Sequence, residues 1–318
     1  MPVHASFDCL WCGTAHTTRS PDDLEGWAQL CPDCLGRAGD NPFLRFRLRD
    51  ALAERTAASR STPDPSIGPR IDPAIGPRID PAIDPRIDRE MLAYYEARAP
   101  EYDDWYLRRG RYSHGVLDDM AWAADLDAAT VWLDGLPLGG RIVELAAGTG
   151  WWSPLLASHG ELTAYDGTAA PLERARERLL AHGLLAHLHV RDAWAEPEPP
   201  PADVLFAGFW VSHVPRSRLV EFFALARRWV RPGGAFAFID SRFDPSSSAV
   251  DHIPDPDAET AVRRLDDGRE FTIRKVYHEV GALEAALIEA GFTEAAVTAT
   301  SRFFLLGRAL APGRDGPG

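Results

Sequence analysis

A doubly wound parallel α/β sheet is predicted for residues 89–310, and three observations predict it. Short apolar runs alternate with amphipathic stretches, a glycine turn follows the first run, and acidic residues close the first three runs. Strand–helix alternation at this spacing builds parallel βαβ units, in which helices cover both faces of one sheet.

The elements follow in order. Residues 89–135 hold few glycines or prolines and many good helix formers, so they read as a helical N-terminal cap. Arg141–Leu145 is the first strand, followed by a glycine turn and a helix to about Ser158. Leu162–Tyr165 is the second strand, and Pro171 lies in the first turn of a helix ending near Ala181. His187–Arg191, Val204–Phe209 and Ala235–Ile239 continue the strands, with a helix over Arg216–Val230. Asp266-Asp267-Gly268 marks a hairpin between Arg263–Leu265 and Glu270–Val276. A helix over Val280–Ala290 precedes two final strands, Phe292–Thr298 and Phe303–Leu306, expected to be antiparallel at the sheet edge.

The glycine turn reads Glu144-Leu145-Ala146-Ala147-Gly148-Thr149-Gly150. Glycines here let backbone approach a ligand at the carboxyl ends of the strands, where open α/β sheets bind. A dinucleotide fingerprint needs a third glycine where Ser153 stands, and bulky Trp151 and Trp152 follow the turn. Asp166 ends the second strand, where a carboxylate suits two ribose hydroxyls. Asp192-Ala193-Trp194 ends the third, where an acid and an aromatic suit an adenine, and Phe209-Trp210 ends the fourth. Each is ordinary alone; the ordered set points to an adenosine.

These motifs resemble the class I S-adenosylmethionine-dependent methyltransferases, particularly the small-molecule and quinone-type branch. Glu144–Gly150 is similar to that family's first motif, with Ala146 in place of the first glycine. Tyr94-Tyr95-Glu96-Ala97-Arg98-Ala99-Pro100-Glu101-Tyr102-Asp103 resembles its Y-Y-x-x-x-A-x-x-Y-D opening helix, and Arg231-Pro232-Gly233-Gly234 the turn into its fifth strand. The resemblance spans about residues 90–310 and implies a Rossmann-like sheet with S-adenosylmethionine (SAM) as cofactor. By it, Glu144 and the backbone of Ala146, Gly148 and Gly150 hold the methionine portion. Asp166 takes the ribose, and Asp192, Ala193 and Trp194 take the adenine with Phe209 nearby. Tyr94, Tyr102 and Trp105 close over the cofactor, although aromatics at helical spacing equally serve a core.

Methyl transfer needs a base only where the acceptor is protonated. His213, in Trp210-Val211-Ser212-His213 after the fourth strand, is the candidate base or acceptor-orienting group. The plainer alternative is a histidine bonded to backbone at a helix start. Tyr112, His114, Arg242 and Tyr277 are further acceptor-pocket candidates.

Residues 1–60 form a separate module. Cys9-x2-Cys12 and Cys31-x2-Cys34, the chain's 4 cysteines, have the spacing of a structural four-thiolate zinc site. Asn41 and Pro42 begin a predicted helix, with Leu44, Leu48 and Leu52 on one face. Residues 61–88 repeat SIGPRIDP, AIGPRIDP, AIDPRIDR, and proline at this density predicts an extended linker. Its isoleucines fall every four residues and suit docking onto a neighbour.

At 318 residues with 45% hydrophobic and 25% charged side chains, the chain has ordinary globular composition. No run suits a membrane span and no secretory signal is read, so a cytoplasmic location is expected. A net charge of −13 opposes general nucleic-acid affinity. Of 34 Lys and Arg residues, Lys275 is the only lysine. A small-molecule methyltransferase is the first reading. An RNA methyltransferase that captures RNA through the zinc module, and a non-catalytic cofactor-binding scaffold, stay open. Nothing in the sequence sets the acceptor or the oligomeric state.

Overall fold

The structure, a computed structural model, describes residues 84–313 and, before them, the backbone of Ser6–Asp8, Ala15–Thr17 and Arg70–Ile71. The four cysteines, the helix expected from Asn41 and most of the repeat lie outside the described residues. Two compact units divide the chain at Asp64 and Pro65. In the first, Ser6–Asp8 and Ala15–Thr17 pair antiparallel, with Phe7 opposite His16.

The second unit holds a mixed, Rossmann-like sheet. Its strands are β1 (Arg141–Leu145), β2 (Glu161–Asp166), β3 (His187–Val190), β4 (Ala202–Gly208), β5 (Val230–Ser241), β8 (Thr293–Ala299) and β9 (Phe304–Leu310), with the hairpin β6 (Thr260–Arg264) and β7 (Glu270–Arg274) standing apart. The order is β8-β9-β5-β4-β1-β2-β3, parallel from β5 to β3, with β9 antiparallel between β5 and β8. Arg70–Ile71 lies parallel to β3 beyond that edge, so this stretch of the repeat contributes edge backbone. Order reverses at β1, which pairs with both β2 and β4, and a crevice therefore opens at the carboxyl ends of these strands.

The inner strands read as unbroken apolar runs because both faces are covered. Leu205, Phe206 and Ala207 of β4 are all fully buried. On one face, α6 (Leu219–Trp229) and α7 (Val280–Glu289) bring Phe222, Phe223, Trp229 and Leu287 against Phe236 and Phe238 of β5. On the other lie α4 (Ser153–His159) and α3 (Val116–Asp134), whose buried Trp122 meets Phe303 and Phe304 edge-on at 5.1 and 4.8 Å. The helix predicted over 216–230 begins as one 3₁₀ turn, Arg216–Arg218, since Pro215 fixes the entry.

The cap is three helices. α1 (Pro85–Arg98) starts inside the stretch predicted as linker. Asp84 caps it by accepting the Arg86 amide at 3.0 Å, and Pro85 needs no intrahelical donor there. Pro100 ends it. α2 (Tyr102–Leu107) ends at Arg108 in the left-handed region (φ 51°). α2 docks on the glycine turn through Asp103, which accepts from Thr149 Oγ1 at 2.6 Å and Arg178 Nη2 at 2.5 Å, while Tyr106 stacks on Trp151 at 4.2 Å. α3 is tied down by buried Asp125, which accepts from Thr300 Oγ1, Arg302 N and Phe303 N at 2.6–2.7 Å. The β6–β7 hairpin packs Leu265 and Ile273 on Met91 and Tyr94 of α1, with the Thr272 amide on Glu90 and Arg274 on Asp88.

Gly150 shows how tightly the turn is seated against α5 (Ala169–Ala181). Its φ is +72°, and a Cβ there would lie 2.7 Å from the Ala175 Cβ. Gly150→Ala is expected to cost about 2–4 kcal/mol, from backbone strain and overpacking together, read in chemical denaturation.

Candidate functional site

Two adjoining cavities sit over the switch point. The first, of about 580 Å³, is lined by Met91, Leu92, Tyr95 and Tyr102 of the cap, Ala146 and Gly148 of the turn, Asp166–Thr168, Pro171, Asp192, Ala193 and Gly208–Trp210 with His213. Its floor is the turn after β1, where Ala146 and Gly148 are both left-handed at φ 51° and 56°. The Gly148 amide donates to Asp166 Oδ2 at 2.9 Å, which binds the tip of β1 to that of β2. Asp166 Oδ1 accepts from the Thr168 amide and hydroxyl, both at 3.0 Å. A carboxylate has about four acceptor positions, so one is left for a hydroxyl rather than the two the sequence suggested. Burial pushes the Asp166 pKa up against these hydrogen bonds.

Of the residues singled out in the sequence, Tyr102, Ala146, Gly148, Asp166, Asp192, Ala193, Phe209 and His213 line this crevice together. Four do not. Glu144 is 1% exposed beneath the turn and accepts from Ser153 Oγ at 2.5 Å, so it anchors the start of α4. Gly150 faces Ala175. Tyr94 turns to the second cavity. Trp194 points away: Asp192 accepts its amide at 2.8 Å in a tight Asx turn. That turn sends the indole against Phe222, with Arg218 3.7 Å above it. Met91, Leu92 and Pro171 supply the apolar lining expected of Trp194.

The second cavity, of about 550 Å³, lies between α1, the 3₁₀ turn Gly110–Tyr112, residues 241–252 and the hairpin. Tyr95, Tyr102, Phe209 and His213 line both cavities and form their common wall. Phe209 holds φ 58°, a costly conformation for an aromatic residue, at this wall. Tyr94, Tyr112 and Tyr277 line the second cavity; Trp105 does too, with its indole N–H on the Ser247 carbonyl at 2.7 Å. His114 instead donates to the Ser248 carbonyl, and Arg242 is exposed. Arg98, Tyr95, His252, Arg263 and Lys275 also line it. No spacing in the sequence marked Arg263 and Lys275, because the packing of the hairpin on α1 brings them to Tyr95 and Arg98 across the chain.

His213 sits within hydrogen-bond reach of a backbone carbonyl and a phenol. Its Nδ1 lies 2.5 Å from the Arg274 carbonyl and its Nε2 2.8 Å from the Tyr95 hydroxyl. A carbonyl only accepts, so Nδ1 carries the proton and Nε2 accepts from Tyr95. Burial, and then the Lys275 charge, push the His213 pKa down to about 3, which keeps the ring neutral.

This switch-point crevice, with its glycine turn and strand-tip acids, defines a class I SAM-dependent methyltransferase domain. Residues 142–234 match the family described as a methyltransferase domain, and the chain is a SAM-dependent methyltransferase. Among solved structures it is similar to DhpI in its complex with S-adenosylhomocysteine (SAH), at 28% identity over 72% of this chain and 98% of that one, with a TM-score of 0.55. The complex of DhpI with SAM and HEP is similar at 27% identity, over 70% and 97% of the two chains, with a TM-score of 0.57. No curated protein sequence matches the chain. Among the described residues no helix is long and apolar enough to cross a membrane.

Glu144 gives this site a pH signature. Burial raises its pKa from the ordinary 4.5 to about 8, so the folded state holds the proton more tightly than the unfolded chain. Its contribution to stability is complete below pH 4.5 and is lost as pH rises through about 8. Glu144→Gln keeps the Ser153 hydrogen bond and is expected to flatten that decline, measured as denaturation midpoints across pH without ligand.

Proposed function

We propose that the enzyme transfers the methyl group of SAM to a small-molecule acceptor held in the second cavity. The observation that carries this reading is the common wall of Tyr95, Tyr102, Phe209 and His213, which separates the strand-tip crevice from a second cavity. The complex of DhpI with SAM and HEP supports it as a structural relative.

The crevice suits the cofactor residue by residue. Gly148 presents a floor where the chain turns left-handed, Asp166 keeps one acceptor position for a ribose hydroxyl, and Asp192 Oδ2 remains for an exocyclic amine. Bound SAM supplies a methyl group on a positively charged sulfur. The protein's part is to align the acceptor and exclude water, and orientation contributes up to roughly 7–11 kcal/mol in well-aligned systems. Tyr95, oriented by neutral His213, is placed to position the acceptor from the wall. His213 serves as the acceptor-orienting group through that phenol.

The four cysteines of the N-terminal module are proposed to hold a structural zinc. Cys9 and Cys12 lie in sequence between the paired strands Ser6–Asp8 and Ala15–Thr17, the arrangement of a zinc knuckle.

Three measurements test these readings. Incubating the enzyme with a metabolite extract and isotopically labelled SAM is expected to add label to a small molecule with release of SAH; label confined to RNA would overturn the acceptor class. Asp166→Ala is expected to weaken SAH binding by about 1–3 kcal/mol in calorimetry, with Asp166→Asn losing less. Metal analysis is expected to find about one zinc per chain, released by Cys31→Ser.

A further inference from the structure

The second cavity concentrates positive charge. Arg98 and Arg263 are 8% and 7% exposed, and Lys275 joins them at the wall of the same space. Among the described residues the lining contains no Asp or Glu. Arg98 spends one nitrogen on the Tyr112 hydroxyl at 3.3 Å and lies over the Tyr102 ring at 4.4 Å, while its buried Nε has no partner. Arg263 donates to the neighbouring Val262 carbonyl at 3.4 Å. Lys275 donates to two neutral hydroxyls, Ser212 at 3.0 Å and Ser241 at 2.8 Å. Among the described residues none of the three forms an ion pair with a carboxylate. Burial pushes the Lys275 pKa down to about 8 against the Asp240 charge, and the two oxygens of Asp240 accept the Ser212 and Ser241 amides.

Leaving three cations in a largely buried space is unfavourable unless an anion joins them. The C-terminal end of α1 offsets part of this for Arg98, its last residue. The lining also holds donors suited to oxygen: the hydroxyls of Tyr94, Tyr112 and Tyr277, of which the last is buried without a partner. The positive field is felt by both histidines of the cavity. His213 and His252 have pKa values pushed down to about 3, first by burial and then by Lys275 and Arg263 respectively. The one lysine of the chain stands at this spot, its compact ammonium bridging two serine hydroxyls.

We propose that the methyl acceptor is a small organic acid whose oxyanion group is bound by Arg98, Arg263 and Lys275. This rests on the reading of the neighbouring crevice as the SAM site and adds the class of acceptor. The acid group anchors among the three cations, and the atom to be methylated lies toward the wall of Tyr95, Tyr102, Phe209 and His213.

The single lysine makes a direct test possible. The full-length enzyme is acylated with an amine-reactive reagent, with and without SAH, in chloride, inorganic phosphate or acetate at equal ionic strength. Modification of Lys275 is read by peptide mass spectrometry against the chain's α-amine as internal reference. Phosphate or acetate is expected to slow Lys275 acylation about tenfold relative to chloride, with the α-amine unchanged. Protection by phosphate alone identifies a tetrahedral oxyanion, and protection by acetate a carboxylate. Calorimetry on Arg98→Met and Lys275→Met is expected to show the protecting anion bound about tenfold or more weakly, with SAH affinity kept as evidence of folding. Equal acylation in all three salts while SAH binds would overturn the proposal and leave the SAM site standing. Anion protection without SAH binding would overturn the crevice reading and leave the oxyanion site standing.

Discussion

The hydrogen bond from the Gly148 amide to the Asp166 carboxylate holds two strand tips at a fixed separation, and the crevice depends on it. A parallel sheet leaves its carboxyl ends without mutual restraint wherever neighbouring crossovers depart to opposite faces. Here the turn after β1 reaches across to β2, and Thr168 secures the other oxygen of the same carboxylate. The left-handed residues at 146 and 148 let the amide point outward to make that bond. One acid thus builds the floor before any ligand arrives, and preorganisation of this kind lowers the ordering cost of binding.

The cap depends on the same turn. Asp103 meets Thr149 and Arg178 immediately beside it, so the helices over the site are referenced to the loop that forms its base. At the far end, Asp125 and the ion pairs of Arg302 with Asp118 and Asp244 fasten α3 to the turn before β9. The intervening segments, α1 and the hairpin, are joined by apolar contact and by the Asp88–Arg274 pair. The second cavity opens among these elements, where recognition of an acceptor varies without disturbing the sheet.

The strands were legible because burial on both faces leaves unbroken apolar runs, and β1 has the limits the sequence suggested. β4 began earlier than expected, at Ala202, since the sheet extends its hydrogen bonding beyond the most apolar residues. The positions of Asp166, Asp192 and Phe209 at strand tips were legible for the same reason. The direction of Trp194 was not: a strand tip fixes where a backbone ends, and a local Asx turn then decides where the side chain goes. Glu144 illustrates a second limit, because an acid at the end of a strand looks the same in sequence whether it meets a ligand or supports a helix. The charge cluster of Arg98, Arg263 and Lys275 is assembled by the packing of the hairpin on α1, across long separations along the chain. In a chain rich in arginine only the solitary lysine stood out.

Helix α1 places Met91, Leu92 and Tyr95 along one cavity and Tyr94, Tyr95 and Arg98 along the other. A single helix therefore carries walls of two compartments. An occupant that orders this helix from one side would spare its counterpart part of the entropy of doing so. Thermodynamic linkage makes that benefit mutual. Cooperation between the two chambers thus needs no change of shape, only a shared beam.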